Sequence, residues 1–407
     1  MTGDGPASPA AGADRAGRAG SGAPSLSVSL DVSAVPAQPV GAGRYIIDLA
    51  TALLGRDDVS LTLWSRRHDH DRWNGVAPGR AAVRPAAPDA RPARLAWEQL
   101  RLPGLLDGAG VDVHHGPHYT MPERARVPRV VTVHDLTFLE HPEWHERSKV
   151  MVLGRAIRVA ARRAEAIVCV SRYSAGRLEA LCAPTGRVFV VPHGVDHDRF
   201  TPGQPRGAAA SDDELLDGLG VRPPYVVFVG TLEPRKAVPD LVAAFDHVAG
   251  AHPDLSLVLA GRPGWGFEAV DRAVAAARAG DRVVRTGYVP DEAVPALLRR
   301  ASVTAYAAME EGFGLPALEA LACGSPLVTT AGTTMAELAG GAAVLAAPGS
   351  VSELAEALES VLAGGAAVQA RRRLGLQVAS RHTWEASASG HVSAYRWAAS
   401  GHRSAPR

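Results

Sequence analysis

Short runs of β-branched residues alternate with longer amphipathic stretches along this chain, and the alternation occurs in two series. The first series runs from Leu26 to Gly194, and the second begins at Tyr225. Residues 195–213 between them are polar and rich in Pro, Gly and Ala, which is typical of a linker or a long surface loop. Strands that alternate with helices predict parallel sheets wound by right-handed crossovers. We therefore expect an α/β protein of two doubly wound, Rossmann-like domains that face each other across a cleft.

Twelve strands are predicted from this pattern. They begin at Leu26, Val59, Val111, Arg129, Ala166 and Arg187 in the first series, and at Tyr225, Leu255, Arg282, Val303, Pro326 and Ala342 in the second. The predicted organisation is a disordered tail over 1–25, an N-terminal domain over 26–200, a C-terminal domain over 201–382, and a final helix with a tail over 383–407. The composition of 1–25 offers too little apolar surface to offset the entropy of ordering. Packing of the final helix back onto the N-terminal domain is left open.

Charge and composition exclude several function classes. The 407 residues include 43 basic and 42 acidic side chains, so nothing in the net charge points to a nucleic-acid partner. No apolar stretch approaches the roughly 18 residues of a membrane span, and no secretion signal is evident. We expect a cytoplasmic protein without a transmembrane segment, and leave peripheral membrane contact open. The three cysteines lie too far apart for a short-spaced metal or redox pair.

The segment that follows the strand at Val303 has the pattern of a ligand loop. Gly312 and Gly314 precede Pro316, which suits the first turn of a helix. A glycine-rich turn into a helix presents free backbone N–H groups, which favour phosphate. Glu311 and Glu319 flank this turn, and carboxylates accept hydrogen bonds from sugar diols. The alternative is that Glu311 caps the helix and Glu319 is solvated.

A second candidate is the basic pair Arg235 and Lys236, which follows the strand that ends near Gly230. Arginine supplies a planar fork and lysine a compact point charge, and together they could neutralise a diphosphate. Lys149 and Lys236 are the only lysines among the 43 basic residues, so a lysine here has escaped a strong bias towards arginine. The alternative is an ordinary solvated pair.

His134 ends a first-domain strand, where it could hold a sugar hydroxyl or transfer a proton. The alternative is a structural histidine. Gly41 and Gly43 open the first helix and would let a ligand approach the backbone closely, although ordinary turn chemistry also explains them.

Three histidines, His114, His115 and His118, cluster in a Gly-Pro loop. Their spacing has no acidic partner nearby, and we expect no metal site there.

Several strings together resemble the family 4 retaining glycosyltransferases of the GT-B fold, and they cover most of residues 26 to about 345. The strings are VVTVHDLTFLEHPEWH, VCVSRYSA, VVPHGVDHDRF, FVGTLEPRKAVPDLVAAF, LVLAGRPGW, RTGYVPDEAVPALLRRA and EEGFGLPALEALACGSPLV. The resemblance implies transfer of a sugar from a nucleotide-sugar donor with retained configuration, without a metal and without a cofactor other than that co-substrate. It also implies that the N-terminal domain is the acceptor side and that the C-terminal domain binds the donor.

The resemblance implies roles for individual positions. Glu311 matches the residue that contacts the transferred sugar, and Glu319 the one that holds the ribose hydroxyls. Arg235 and Lys236 match the pair on the donor diphosphate, and His134 the histidine near the reacting sugar. The remaining implied donor contacts are Gly41 and Gly43 in the first-domain loop, Tyr288 and Val289 at the nucleobase, and Phe313, Gly314 and Leu315 in the diphosphate cradle.

One departure from the family concerns the residue after Gly230. Many members carry arginine there, whereas this chain has Thr231. The Glu-Pro-Arg-Lys variant at 233–236 is found in a mannosyltransferase-like branch, which favours GDP-mannose as donor. The resemblance implies an acceptor that is a glycan, a lipid-linked molecule or a small molecule.

Two other classes are alternatives. A Rossmann-type NAD-dependent oxidoreductase would carry a third glycine after Gly41 and Gly43, and that glycine is missing. A non-enzymatic two-lobed protein that binds sugars or nucleotides would normally be secreted, and no signal segment is evident.

Overall fold

The structure is a computed structural model, and it describes residues 25–205 and 207–401. Residues 1–24 of the predicted disordered tail lie outside the described residues, as do 402–407 of the predicted C-terminal tail. The described chain forms two parallel sheets, one of seven strands and one of six.

The N-terminal sheet and its helices occupy residues 26–190. The strands are β1 (Leu26–Asp31), β2 (Val59–Arg66), β3 (Ala81–Ala87), β4 (Val113–Gly116), β5 (Arg129–Val133), β6 (Ala166–Cys169) and β7 (Arg187–Val190). The helices are α1 (Ala42–Leu54), α2 (His70–Val76), α3 (Arg91–Leu100), α4 (Leu102–Ala109), α5 (Thr137–Glu140), α6 (Arg147–Arg163) and α7 (Arg172–Cys182).

The C-terminal sheet begins after a long connection. Its strands are β8 (Tyr225–Val229), β9 (Ser256–Ala260), β10 (Val283–Gly287), β11 (Val303–Tyr306), β12 (Leu327–Thr330) and β13 (Ala343–Ala346). The helices are α8 (Asp212–Gly218), α9 (Val238–Val248), α10 (Glu268–Ala276), α11 (Ala293–Arg300), α12 (Leu315–Ala322), α13 (Thr334–Ala339), α14 (Val351–Leu362), α15 (Ala366–Ala379) and α16 (Trp384–Ala399).

Both sheets have the doubly wound order. It is β3-β2-β1-β4-β5-β6-β7 in the first and β10-β9-β8-β11-β12-β13 in the second, with every pair parallel. Because the order reverses beside β1 and beside β8, a crevice opens beyond the carboxyl ends of the strands in each domain. The predicted fold class of two Rossmann-like domains facing a cleft is confirmed.

The sequence pattern missed one strand, β3. It reads AAVRPAA, with a single β-branched residue and with Pro85 in its interior. Proline cannot donate to a sheet ladder, so strands that contain it are found at sheet edges. β3 is the edge strand next to β2, where tertiary pairing overrides its weak propensity.

The final helix, α16, packs on the N-terminal domain. Its Trp384, Val392 and Tyr395 belong to the same buried cluster as Val28 and Tyr45. The two chain segments that connect the domains also touch, because the Val195 amide donates to the His382 carbonyl at 3.1 Å.

Among the described helices the longest, α6, has 17 residues. None of the helices within 25–205 and 207–401 combines the length and apolar character that a membrane crossing requires.

Candidate active site

A cavity of about 420 Å³ lies between the two domains. Loops at the carboxyl ends of both sheets form its walls. Of the twelve site residues predicted from the sequence, eleven line it: Gly41, His134, Arg235, Lys236, Tyr288, Val289, Glu311, Phe313, Gly314, Leu315 and Glu319.

The exception is Gly43, which does not line the cavity. It is buried in the first turn of α1, where an added Cβ would lie 3.0 Å from Pro36 Cδ. Its small size therefore serves the packing of the preceding loop on the helix. Gly41 does line the cavity, and it adopts a φ of +48° at the N-terminal cap of α1.

Glu311 forms ion pairs with both Arg235 and Lys236. Only 8% of Glu311 and 6% of Lys236 is exposed, so the cluster is buried beneath the cleft. Arg235 also pairs with Glu233, Nη2 to Oε1, at 2.7 Å. No side chain caps helix α12, which excludes the alternative that Glu311 serves as its cap. The basic pair is likewise not an ordinary solvated pair.

Local backbone geometry holds the Glu311 loop in place. The Thr334 hydroxyl donates to the Glu311 carbonyl at 2.6 Å. Gly314 has a φ of +91°, and a Cβ there would lie 2.3 Å from Met335 Cγ, so this position requires glycine. Because no side chain caps α12, backbone N–H groups at its start remain available to an anion.

Burial lowers the pKa of Lys236 to about 7, and Arg235 acts in the same direction. The direct contact with Glu311 opposes this shift, because an adjacent carboxylate favours the ammonium form. An anion that entered the cleft would also favour the charged lysine.

His134, at the end of β5, is held through its Nε2 atom, which lies 2.9 Å from the Pro117 carbonyl. A carbonyl only accepts, so Nε2 carries the proton. Burial lowers the pKa of His134 and favours the neutral ring. Nδ1 therefore keeps its lone pair as an acceptor. The ring packs edge-on against Tyr45, with centroids 5.0 Å apart.

Glu319 lies in α12 and faces two arginines of the N-terminal domain. Burial raises the pKa of Glu319, while Arg199 and Arg44 oppose that shift. Both arginines contact Asp291 of the C-terminal domain, Arg44 through an ion pair and Arg199 through a 3.1 Å bond to the Asp291 carbonyl. Sequence reasoning missed this link, because Arg44 and Asp291 are 247 positions apart.

A second contact between the domains centres on Gly312. The hydroxyls of Ser171 and Ser174 donate to the Gly312 carbonyl at 2.8 and 3.2 Å. A Cβ on Gly312 would lie 1.8 Å from the His134 carbonyl oxygen. The loop that carries Glu311 therefore rests directly on the strand end that carries His134.

Tyr288 and Val289, which were predicted to contact the nucleobase, line the cleft, and Arg262 lies beside them. The Arg262 guanidinium lies 4.7 Å from the centroid of the Tyr288 ring, a cation–π contact. No sequence motif singled out Arg262.

Two of the clustered histidines form hydrogen bonds within the N-terminal core. His114 Nδ1 lies 2.9 Å from the Ser29 hydroxyl, and His115 bonds to Thr132 and Tyr395, each at 2.8 Å. Within residues 25–205 and 207–401, no group of three or more His, Cys, Asp or Glu side chains is arranged to hold a metal ion.

Two family models match the chain. "Glycosyltransferase Family 4" matches residues 39–199, and "Glycosyl transferases group 1" matches residues 217–379. Together with the two facing sheets and the cleft, these matches place the chain in a known family. It belongs to the family 4 glycosyltransferases with the GT-B fold.

Two relatives and two solved structures illustrate the similarity. The O-antigen chain mannosyltransferase B of Escherichia coli is 28% identical over 70% of this chain and 74% of its own length. The D-inositol 3-phosphate glycosyltransferase of Segniliparus rotundus is 32% identical over 70% of this chain, and the match spans 64% of that protein, less than two thirds. Sucrose-phosphate synthase from Thermosynechococcus elongatus superimposes with a TM-score of 0.74 at 19% identity, covering 91% of this chain and 98% of the other. HepE from Anabaena, solved with UDP and glucose, gives 0.67 at 19% identity, covering 90% and 98%.

Proposed function

We propose that the protein transfers a hexose from a nucleotide-diphosphate sugar to a glycan, a lipid-linked molecule or a small molecule, with retained anomeric configuration and without a metal. Mannose is the favoured hexose and GDP-mannose the favoured donor. The observation that carries this proposal is the buried cluster of Arg235, Lys236 and Glu311 near the N-terminus of α12.

The cluster has the composition of a diphosphate site. Arg235 and Lys236 bring two positive charges together below the cleft, and α12 adds backbone N–H groups. Glu311 contacts both cations and Glu233 contacts Arg235, but the guanidinium and the ammonium each have more N–H donors than these contacts use and can bind a further anion. Glu319 lies one turn into α12, where it can accept hydrogen bonds from ribose hydroxyls.

The leaving group of the proposed reaction is a nucleoside diphosphate. As the bond between the sugar C1 and the diphosphate oxygen breaks, negative charge grows on that oxygen, and Lys236 and Arg235 stabilise it. The acceptor oxygen forms its new bond to C1 on the same face, which retains the configuration. The proton of the acceptor passes to the departing diphosphate. The neutral His134 ring can accept a hydrogen bond from a sugar hydroxyl through Nδ1.

Mannose is supported by the similarity to the Escherichia coli mannosyltransferase and by the Glu-Pro-Arg-Lys segment at 233–236. UDP bound to the Anabaena protein supports a nucleotide donor in this fold. The first experiments should therefore identify the nucleobase and the sugar of the donor, and the acceptor.

Calorimetric titration with GDP, UDP, ADP, dTDP and NAD tests the donor proposal. We expect one nucleoside diphosphate to bind best and NAD not to bind. A matched Lys236→Met variant should lose that binding by at least about tenfold, since hydrogen bonds to charged groups contribute about 1.5–3 kcal/mol. Binding of NAD with no binding of a diphosphate would favour the oxidoreductase alternative.

A further inference from the structure

Both lysines of this chain line the same cleft. Lys236 lies on the C-terminal side and pairs with Glu311. Lys149 lies on the opposite wall, in the first turn of α6 in the N-terminal domain, and is partly buried. In a chain that uses arginine almost everywhere else, a compact ammonium is thus found on each wall of the cavity.

The two ammonium groups differ in their partners. The side chain of Lys149 forms no ion pair or hydrogen bond with any residue in the described ranges, whereas four other cations of the cleft are paired with Asp291 or Glu311. These four are Arg44, Arg199, Arg235 and Lys236. Arg262 also lacks an ion pair, but it is exposed and lies over the Tyr288 ring. Lys149 is therefore the partly buried cation of the cleft whose charge is not matched by a contacting carboxylate.

The titratable groups around Lys149 are either neutral or already hydrogen-bonded. Burial lowers the pKa of His118 to about 3, and burial also lowers the pKa of His145, so neither adds charge at neutral pH. Asp135 is the acid on this wall, and its Oδ1 accepts hydrogen bonds from the Thr137 amide and hydroxyl at 3.2 and 2.9 Å. The Asp135 carboxylate also faces Arg235, so its single negative charge is shared between Arg235 and Lys149.

We propose that Lys149 binds an oxyanion of the acceptor, a phosphate monoester or a carboxylate, so that the acceptor of this transferase is an anionic molecule. A ligand anion would give this ammonium the contacting counter-ion that the described residues do not supply. The donor diphosphate is assigned to the pair on the C-terminal wall, which leaves Lys149 to the molecule on the N-terminal wall beside His134. This inference rests on the proposed function, since an acceptor exists only if the cleft transfers a sugar.

The test uses the full-length protein saturated with the nucleoside diphosphate that binds best, so that the donor phosphate site is filled. Inorganic phosphate and acetate are then titrated and followed by NMR, because they represent the two sources of an oxyanion. We expect at least one of them to bind wild type at least about tenfold more tightly than Lys149→Met. Lys149→Arg should restore part of the affinity, because it keeps the positive charge but replaces the compact ammonium with a planar guanidinium.

The diphosphate itself is the internal control. Lys149→Met should bind it with unchanged affinity, which also shows that the variant is folded. Equal phosphate and acetate affinities in wild type and Lys149→Met, or no binding of either to wild type at tens of millimolar, would overturn the inference. If no nucleoside diphosphate binds wild type, the proposed function fails instead, so the two failures are distinguishable.

Discussion

Replacing Glu311 with glutamine removes one negative charge from between Arg235 and Lys236 and keeps the size of the side chain. Two unit charges about 4 Å apart interact by about 4 kcal/mol at an effective dielectric constant of about 20. Removing one partner of a buried ion pair costs about 3–5 kcal/mol, because the remaining charge is left without compensation. With Glu311 and Lys236 both buried, we expect Glu311→Gln to lower the free energy of unfolding by about 3 kcal/mol.

The same change should strengthen the binding of the nucleoside diphosphate. In Glu311→Gln the diphosphate would supply the negative charge that the two cations have lost, so part of the stability lost in the free protein returns on binding. We expect roughly tenfold tighter binding, or about 1.4 kcal/mol, together with slower sugar transfer. Denaturant unfolding and calorimetric titration measure both quantities.

Glu310→Gln is the matched control for this prediction. Glu310 is the neighbouring carboxylate, equally buried, but it accepts a hydrogen bond from Tyr173 at 3.0 Å and does not contact the basic pair. The Glu310→Gln protein should bind the nucleoside diphosphate with wild-type affinity. A Glu311→Gln protein that binds the diphosphate more weakly than wild type would refute the assigned ion-pair cluster.

Four further predictions concern other parts of the cleft. Glu319→Ala should weaken nucleoside diphosphate binding at least about tenfold, measured by calorimetry, while inorganic pyrophosphate, which has no ribose, binds as before. Burial lowers the pKa of Lys236 while its contact with Glu311 raises it, and an anion needs the charged form, so diphosphate affinity should fall as the pH rises through that pKa. Above it, affinity should fall by up to about tenfold per pH unit, and titrations across pH 6–9 should show a flat profile for Lys236→Arg. Gly312→Ala would place a Cβ 1.8 Å from the His134 carbonyl and displace the loop between Glu311 and Phe313, so both transfer and diphosphate affinity should fall; wild-type values of both would contradict this contact. Transfer should survive EDTA in a rate assay, and loss of activity that manganese restores would count against the metal-free mechanism.

The sequence pattern predicted the fold well because strand and helix periodicities are local properties. All twelve predicted strands exist, and the proline-containing edge strand β3 is the one that was missed. The domain on which α16 packs could not be predicted from the sequence. Its place in the N-terminal core depends on contacts of Trp384 and Tyr395 with residues more than 300 positions away, such as Tyr45.

The candidate site was predicted where its residues follow strand ends, because parallel strands bring those ends to one edge of each sheet. Residues such as His134, Lys236 and Glu311 were found in this way. Contacts that depend on how the two domains approach each other left no local signal. The pairing of Arg44 with Asp291 and the bond from Ser171 to Gly312 belong to that class.

The proposed activity of this cleft is transfer of a sugar from a nucleotide-diphosphate donor with retained configuration. The most direct measurement follows the matched nucleotide sugar by phosphorus and proton NMR in the presence of acceptor, with wild type and Lys236→Met in parallel. We expect wild type to convert the donor to nucleoside diphosphate, and an α-linked donor to yield an α-linked product. Lys236→Met should be slower by about a hundredfold or more, the usual effect of losing an electrostatic donor at a developing negative charge. A product of inverted configuration, or equal rates in the two proteins, would contradict the proposed activity.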